Sequence, residues 1–224
     1  MYLSATWGLM LLALVISLFA QLTVSSTYNK YAKVRSQKNM SACSAARYIL
    51  DFNGLTNVKV EQVRGNLTDH YDPRSKVLRL SESTYSSASV AALGVAAHEV
   101  GHALQDQNGY LPLRLRGALV PLANFSSSVS WVLILFGFLL SSTGLIDVGI
   151  FLFMGVLLFQ VITLPVEFNA SSRALAALEG GGLLETAELK QTKKVLSAAA
   201  LTYVAAVLVS LLQLARLLLM RNRR

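Results

Sequence analysis

Two histidines and a glutamate with the spacing of metal ligands lie near the middle of the chain. His98, Glu99 and His102 form the pattern H-E-x-x-H. On a helix, residues four positions apart lie on one face, so the imidazoles of His98 and His102 can converge on one zinc ion. The carboxylate of Glu99 then lies beside that face, where it can take a proton from a metal-activated water and return it to a leaving amine. The pattern predicts metal-assisted hydrolysis of an amide bond.

The segments around this motif are mostly apolar. Of the 224 residues, 54% are hydrophobic and 14% are charged, a composition typical of membrane proteins and rare in soluble ones. Four apolar stretches have about the length that crosses a bilayer, roughly 20 residues. They span residues 2–24, 118–142, 145–166 and 195–220. Because the first has no basic segment before it and no clear cleavage site after it, we interpret it as a retained anchor.

Basic residues indicate how the chain is oriented. Nothing basic precedes the first stretch, and four basic residues follow it: Lys30, Lys33, Arg35 and Lys38. Such residues favour the cytoplasmic side, so we expect the active site on the cytoplasmic face of the cell membrane. Three C-terminal arginines do not fit this topology if the fourth stretch crosses the membrane, so the side of the C-terminus stays open: Arg221, Arg223 and Arg224. The net charge of +8 suits contact with anionic lipid. No basic stripe is interleaved with aromatic residues, so we expect no nucleic-acid partner, and the oligomeric state stays open.

The chain must supply a third ligand, because a catalytic zinc site commonly takes three protein ligands and one water. No histidine follows His102, so the third ligand should be a carboxylate. The downstream candidates are Asp106, Asp147, Glu167, Glu179, Glu185 and Glu188. Glu167 is preferred because it directly follows the third apolar stretch, which returns the chain to the side of the histidines. Pro165 is expected to open the helix that carries it. The alternative is an interfacial carboxylate paired with Arg173.

Short elements are expected on either side of the motif. An amphipathic helix over residues 41–53 should end at Gly54, and strands are predicted near residues 57–65 and 76–81. The second strand, at 76–80, is the candidate edge that an extended peptide could pair with. The motif helix is predicted to follow a serine cap (Ser81 or Ser83), to continue through an alanine-rich run from Ser86 to Gln107, and to stop at Gly109 and Pro112. Gly101, between the histidines, suits either close approach of another backbone or substrate, or simple helix packing.

A third histidine lies between the predicted strands, in the sequence Asp69–Pro73. One interpretation makes His70 or Tyr71 a donor to the oxyanion that forms when water attacks a peptide carbonyl. The other is an Asp-Pro turn that carries a surface histidine. The residues alone do not separate these two interpretations.

Together these segments resemble a known family. The run His98–Gln105, with Leu67–Pro73 upstream and Pro165–Ser171 downstream, is similar to the YugP-type bacterial membrane zinc metallopeptidases, and more distantly to HtpX/Ste24-type peptidases. The resemblance implies a gluzincin-like site in which His98, His102 and Glu167 bind one zinc ion and Glu99 is the catalytic base. HtpX/Ste24-type peptidases commonly carry an aspartate four residues after the ligand glutamate, where this chain has Ser171, so the partners that orient the ligand histidines stay unassigned.

We therefore predict a mainly α integral membrane protein with about four transmembrane helices and a small zincin-like α+β catalytic domain. The predicted segments are an anchor (1–24), a catalytic region (25–117), two membrane helices (118–166), the third-ligand helix and loop (167–194), and a C-terminal membrane helix with a basic tail (195–224). The predicted activity is that of a zinc endopeptidase acting on a peptide or protein substrate. The alternatives are a non-catalytic scaffold or metal sensor, intramembrane proteolysis and a transporter. Polar residues that flank the motif helix disfavour intramembrane proteolysis, and spans with almost no charged residues disfavour a transporter.

Overall fold

The computed structural model describes residues 2–222, with side chains from residue 6 onward. Arg223 and Arg224 of the predicted basic tail lie outside the described residues. Four of its helices are long and apolar enough to cross a membrane. They are α1 (Tyr2–Tyr31), α5 (Leu111–Leu139), α6 (Thr143–Gly180) and α7 (Thr186–Arg221). The predicted fold class, mainly α with four such helices and a small sheet, is confirmed.

The long helices extend beyond the predicted apolar stretches. Pro165 lies inside α6, so the prediction that it opens a new helix was wrong. A proline in a helix interior removes one backbone hydrogen bond, and membrane helices tolerate this where neighbouring groups compensate. Glu167 therefore lies on the same continuous helix as the third apolar stretch.

The chain divides into two compact units. The apolar unit comprises the residues up to 21, residues 114–164 and those from 201 onward. The mixed unit comprises residues 22–113 and 165–200 and contains the sheet together with the short helices.

In the apolar unit, two glycines allow close packing of α5 against α6. A Cβ added to Gly137 would lie 2.9 Å from the backbone nitrogen of Ile146, and one added to Gly149 would lie 2.9 Å from the carbonyl oxygen of Ser130. Small residues at such contacts let helix backbones approach in a bilayer.

Asp147 at the start of α6 forms a two-fold ion pair with Arg221 at the end of α7, at 2.8 and 2.9 Å. The start of α6 and the end of α7 therefore meet at one end of this unit.

The mixed unit contains a three-stranded sheet. Its strands are β1 (Lys59–Val63), β2 (His70–Asp72) and β3 (Val77–Ser81), in the order β1-β3-β2. β3 pairs in parallel with β1 and antiparallel with β2. The strand predicted as the exposed edge is thus the central one, which explains why Leu78 and Leu80 are completely buried. The free edges belong to β1 and β2.

Helices of the mixed unit pack against this sheet or against one another. They are α2 (Ala42–Phe52), α3 (Glu82–Tyr85), α4 (Val90–Gln107) and the 165–180 portion of α6. The predicted motif helix was too long at its start, because α4 begins at Val90 and its cap is Ser89, whose hydroxyl accepts the N–H of Ala92. Residues 87–88, just before this cap, are not helical, because their backbone carbonyls bond outside the helix. Those of Ser87 and Ala88 accept hydrogen bonds from the segment that leads into α2.

Helix α4 lies at the centre of the unit's core. Most of its residues are buried, and its apolar face packs among Ile49, Leu50, Leu78 and Leu178. Small residues dominate the helix, which lets neighbouring backbones come close. The helix ends at Gln107 with Asn108 as its C-cap, followed by Gly109 in the left-handed region with φ of +60°.

Candidate metal centre

Helices α4 and α6 bring the three predicted ligands together. His98 Nε2 lies 3.2 Å from Glu167 Oε2, and His102 Nε2 lies 3.8 Å from the same oxygen. Candidate ligand atoms of the three residues all lie within 4.8 Å of one another. Within residues 2–222, this is the group of metal-ligating side chains compact enough to hold one ion.

The environment of this group suits a metal ion. Glu167 is 2% exposed and His102 is 8% exposed, and a buried carboxylate needs a positive partner. Burial lowers the pKa of His102 from its ordinary value, which favours the neutral imidazole that ligates metals. Two imidazole nitrogens and one carboxylate oxygen form a donor set that zinc accepts, with a position left for water.

The outer ring nitrogens of both histidines have defined partners. Ser171 Oγ lies 3.2 Å from His98 Nδ1, and Gln105 Oε1 lies 3.0 Å from His102 Nδ1. From the sequence, Ser171 stood only where related peptidases carry an aspartate, and neither residue was predicted as a partner of a ligand histidine. Gln105 lies three positions after His102, so helical periodicity was the available signal. Ser171 on α6 is far from His98 in sequence, so no local pattern could indicate that contact.

Glu99 lies beside the ligand pair and next to the sheet. It is 9% exposed, and its Oε2 accepts the backbone N–H of Tyr71 at 3.0 Å. Tyr71 belongs to β2, so the carboxylate of Glu99 faces the outer edge of this edge strand. The segment 70–72 is therefore a short strand and not only a turn.

The two candidate oxyanion donors have other partners in this structure. The hydroxyl of Tyr71 donates to Asp106 Oδ2 at 2.7 Å. Burial, followed by this bond, raises the pKa of Tyr71 well above its ordinary range. His70 is exposed, and its Nδ1 lies 2.8 Å from the carbonyl oxygen of Thr68. An oxyanion role for either residue stays a prediction.

The other carboxylates considered as third ligands have separate partners or positions. Asp106 pairs with Tyr71 and with Lys76, and Asp147 lies in the apolar unit. Glu188 accepts the N–H groups of Gln37 and Glu185, and Glu179 is exposed. Arg173 donates its Nε–H to Asn169 Oδ1 at 2.8 Å. The alternative interpretation had paired Arg173 with Glu167.

Comparison with known proteins gives two matches. A family model described as "Putative neutral zinc metallopeptidase" matches residues 6–222. The chain is also 53% identical over 204 residues to "Putative membrane protease YugP" of Bacillus subtilis (strain 168), with 91% of each chain covered. No solved structure matches significantly.

Proposed function

The chain belongs to the YugP-type family of membrane zinc metallopeptidases, and on that premise we propose that it is a zinc-dependent endopeptidase that uses Glu99 as its general base. The observation that carries the proposal is the convergence of His98, His102 and Glu167, with Glu99 directly after His98 in the chain and bonded to the N–H of Tyr71. The expected stoichiometry is one zinc ion per chain.

The roles of the ligand residues follow from the donor geometry. His98 and His102 would bind through Nε2, because Ser171 and Gln105 occupy their Nδ1 atoms. Glu167 would bind through a carboxylate oxygen. When bound, zinc supplies Lewis acidity that polarises a peptide carbonyl and acidifies water.

Glu99 supplies the proton transfers. Its carboxylate is next to His98 in sequence and largely shielded from solvent, which suits a group that holds a proton between two steps. It would accept the proton of the attacking water and pass it to the nitrogen of the leaving amine. The N–H of Tyr71 orients the carboxylate for this task.

The substrate is proposed to be an extended peptide that lies along the outer edge of β2. The N–H of Tyr71 donates to Glu99 and not to β3, so this edge of the strand faces the base. Pairing with a strand edge provides affinity through the backbone with little sequence preference. The strand at 76–80, predicted for this role from the sequence, has both edges occupied by β1 and β2.

The active site is proposed to act on the cytoplasmic face of the cell membrane. The basic residues that follow the apolar part of α1 support this orientation. Arg221 does not follow this rule if α7 crosses the membrane; it forms an ion pair with Asp147 at the start of α6. The α5–α6 connection and the C-terminus would then share the opposite face.

The experiment compares wild-type protein, Glu99→Gln and Glu82→Gln, each purified in detergent. Glu82 is the matched control because it is an exposed glutamate of α3. We expect one zinc per chain in all three, and cleavage of an unfolded protein substrate by wild type and Glu82→Gln alone. A chelator should abolish this cleavage, and added zinc should restore it. Cleavage by Glu99→Gln at the wild-type rate would refute the role of the base.

The main alternative is a non-catalytic scaffold or metal sensor that uses the same fold. Zinc binding by wild type without cleavage of any tested peptide would favour it. Glu99 argues against this alternative, because a purely structural metal site needs no base beside the ion.

A further inference from the structure

A completely buried amide side chain lies directly behind one of the metal ligands. Gln105 is 0% exposed, so each of its polar groups needs a hydrogen-bond partner. Its Oε1 lies 3.0 Å from His102 Nδ1. Its Nε2 donates to the carbonyl oxygen of Val166 at 2.8 Å and to Asn169 Oδ1 at 3.0 Å.

The direction of these bonds is fixed by groups that cannot change roles. The carbonyl of Val166 only accepts, so the NH₂ group of Gln105 must face it. The guanidinium of Arg173 only donates, and its Nε–H is bonded to Asn169 Oδ1. The amide oxygen of Asn169 is therefore also held toward Gln105. Both contacts leave the oxygen of Gln105 facing the ring of His102.

The fixed amide determines which nitrogen of His102 carries hydrogen. An oxygen acceptor at Nδ1 requires an N–H there. The lone pair of the neutral ring is then on Nε2, the atom that faces Glu167. The tautomer of a ligand histidine is generally set by the hydrogen bond at its other nitrogen.

We propose that Gln105 is a positioning residue that holds His102 in the metal-binding tautomer and couples it to the backbone beside Glu167. Val166 directly precedes Glu167, so one amide joins the ligand of α4 to the ligand of α6. Asn169 and Arg173 hold the amide in its orientation. This inference rests on the proposed zinc site.

The first test measures zinc affinity by competition with a chelator. Gln105→Leu removes every polar contact, and Gln105→Glu keeps an acceptor for His102 but places oxygen against Val166 and Asn169. Both should lower zinc affinity about 10- to 100-fold, the usual effect of losing such a partner. The matched control is Gln107→Leu, on the same helix, where an exposed amide donates to the carbonyl of Asn53. It should leave zinc affinity unchanged.

A milder variant covers the case in which the Gln105 variants fail to fold. Arg173→Met lies at a partly exposed position and removes only the outermost donor. Since the carbonyl of Val166 still orients Gln105, the loss of zinc affinity should be no more than about fivefold, the effect of one hydrogen bond.

The second test reads the tautomer directly from the ¹⁵N NMR signals of the ring nitrogens in the metal-free protein. The chain has three histidines, so His70→Gln and His98→Gln assign the signals of His102. We expect a protonated Nδ1 in wild type and in Arg173→Met, where the carbonyl of Val166 still orients Gln105, and a mixture of tautomers in folded Gln105→Leu. Zinc affinity of folded Gln105→Leu equal to that of wild type, or a protonated Nε2 in wild-type His102, would overturn the inference. A wild type that binds no zinc but shows the expected tautomer would instead refute the proposed function.

Discussion

Replacing Gly101 by alanine tests how closely α4 and α6 must approach for the metal centre to form. A Cβ built on Gly101 would lie 3.0 Å from the carbonyl carbon of Ala170, 3.1 Å from its Cα and closer still to its oxygen. These atoms are backbone and cannot rotate away, so the two helices must separate. The structure thus shows a close contact between two helix backbones at this glycine, which fits both close approach of another backbone and helix packing.

The expected magnitude comes from two opposed effects. Alanine improves helix propensity over glycine by about 1 kcal/mol. Overpacking costs about 1–3 kcal/mol, and the upper end applies because the obstacle is backbone. The net loss should be about 2 kcal/mol, which lowers Tm by about 5 °C. Zinc affinity should fall as well, because His102 and Glu167 are on the separating helices and metal sites tolerate ligand shifts of only about 0.2 Å.

The assay is thermal unfolding in detergent, with and without zinc, combined with chelator competition. Gly94→Ala is the matched control on the same helix, because its added Cβ would meet the side chain of Thr192 and no backbone atom. It should lose some stability but keep wild-type zinc affinity. Gly101→Ala with wild-type Tm and wild-type zinc affinity would show that the helices are not in tight contact and would refute the reasoning.

Three further predictions concern the surroundings of the centre and the apolar unit. Asp106→Asn should weaken the anchor of Tyr71 and lower kcat/KM for peptide cleavage about tenfold, with unchanged zinc content; equal activity would contradict this role. Because burial lowers the pKa of His102 below its ordinary 6.5, the unfolded chain takes up the proton first. Urea unfolding of the metal-free protein should therefore show stability falling as the pH drops below that value, and a pH-independent midpoint would contradict it. Asp147→Arg should lower Tm in low salt, and Asp147→Arg with Arg221→Asp should recover it; no recovery would exclude the pair as the cause.

The sequence predicted the elements whose signals are local. The ligand spacing of His98 and His102, the amphipathic helix over residues 41–53 and the apolar stretches depend on neighbours a few residues apart. The choice of Glu167 as the third ligand followed from counting membrane crossings, which does not depend on contacts between distant residues. The resemblance to a known family agreed with the whole-chain match.

The remaining features depend on partners distant in sequence. Several serines could have capped α4, and Ser89 was selected because the carbonyls before it pair with the segment ahead of α2. Strand order likewise depends on pairing across the sheet, so the central position of β3 was not accessible from its own residues. The role of Gln105 became visible only when α6 placed Val166 and Asn169 against it.

The continuity of α6 has a consequence for biosynthesis. His98 and Glu167 are 69 positions apart in the chain, and α5 with most of α6 is made between them. At typical rates of about 5–20 residues per second, a ribosome needs roughly 3–14 seconds to add Glu167 after His98. During that interval a nascent copy has two imidazoles and no third ligand. Under the proposed function, a growing chain therefore cannot hydrolyse its neighbours in the insertion machinery before Glu167, within α6, has been added.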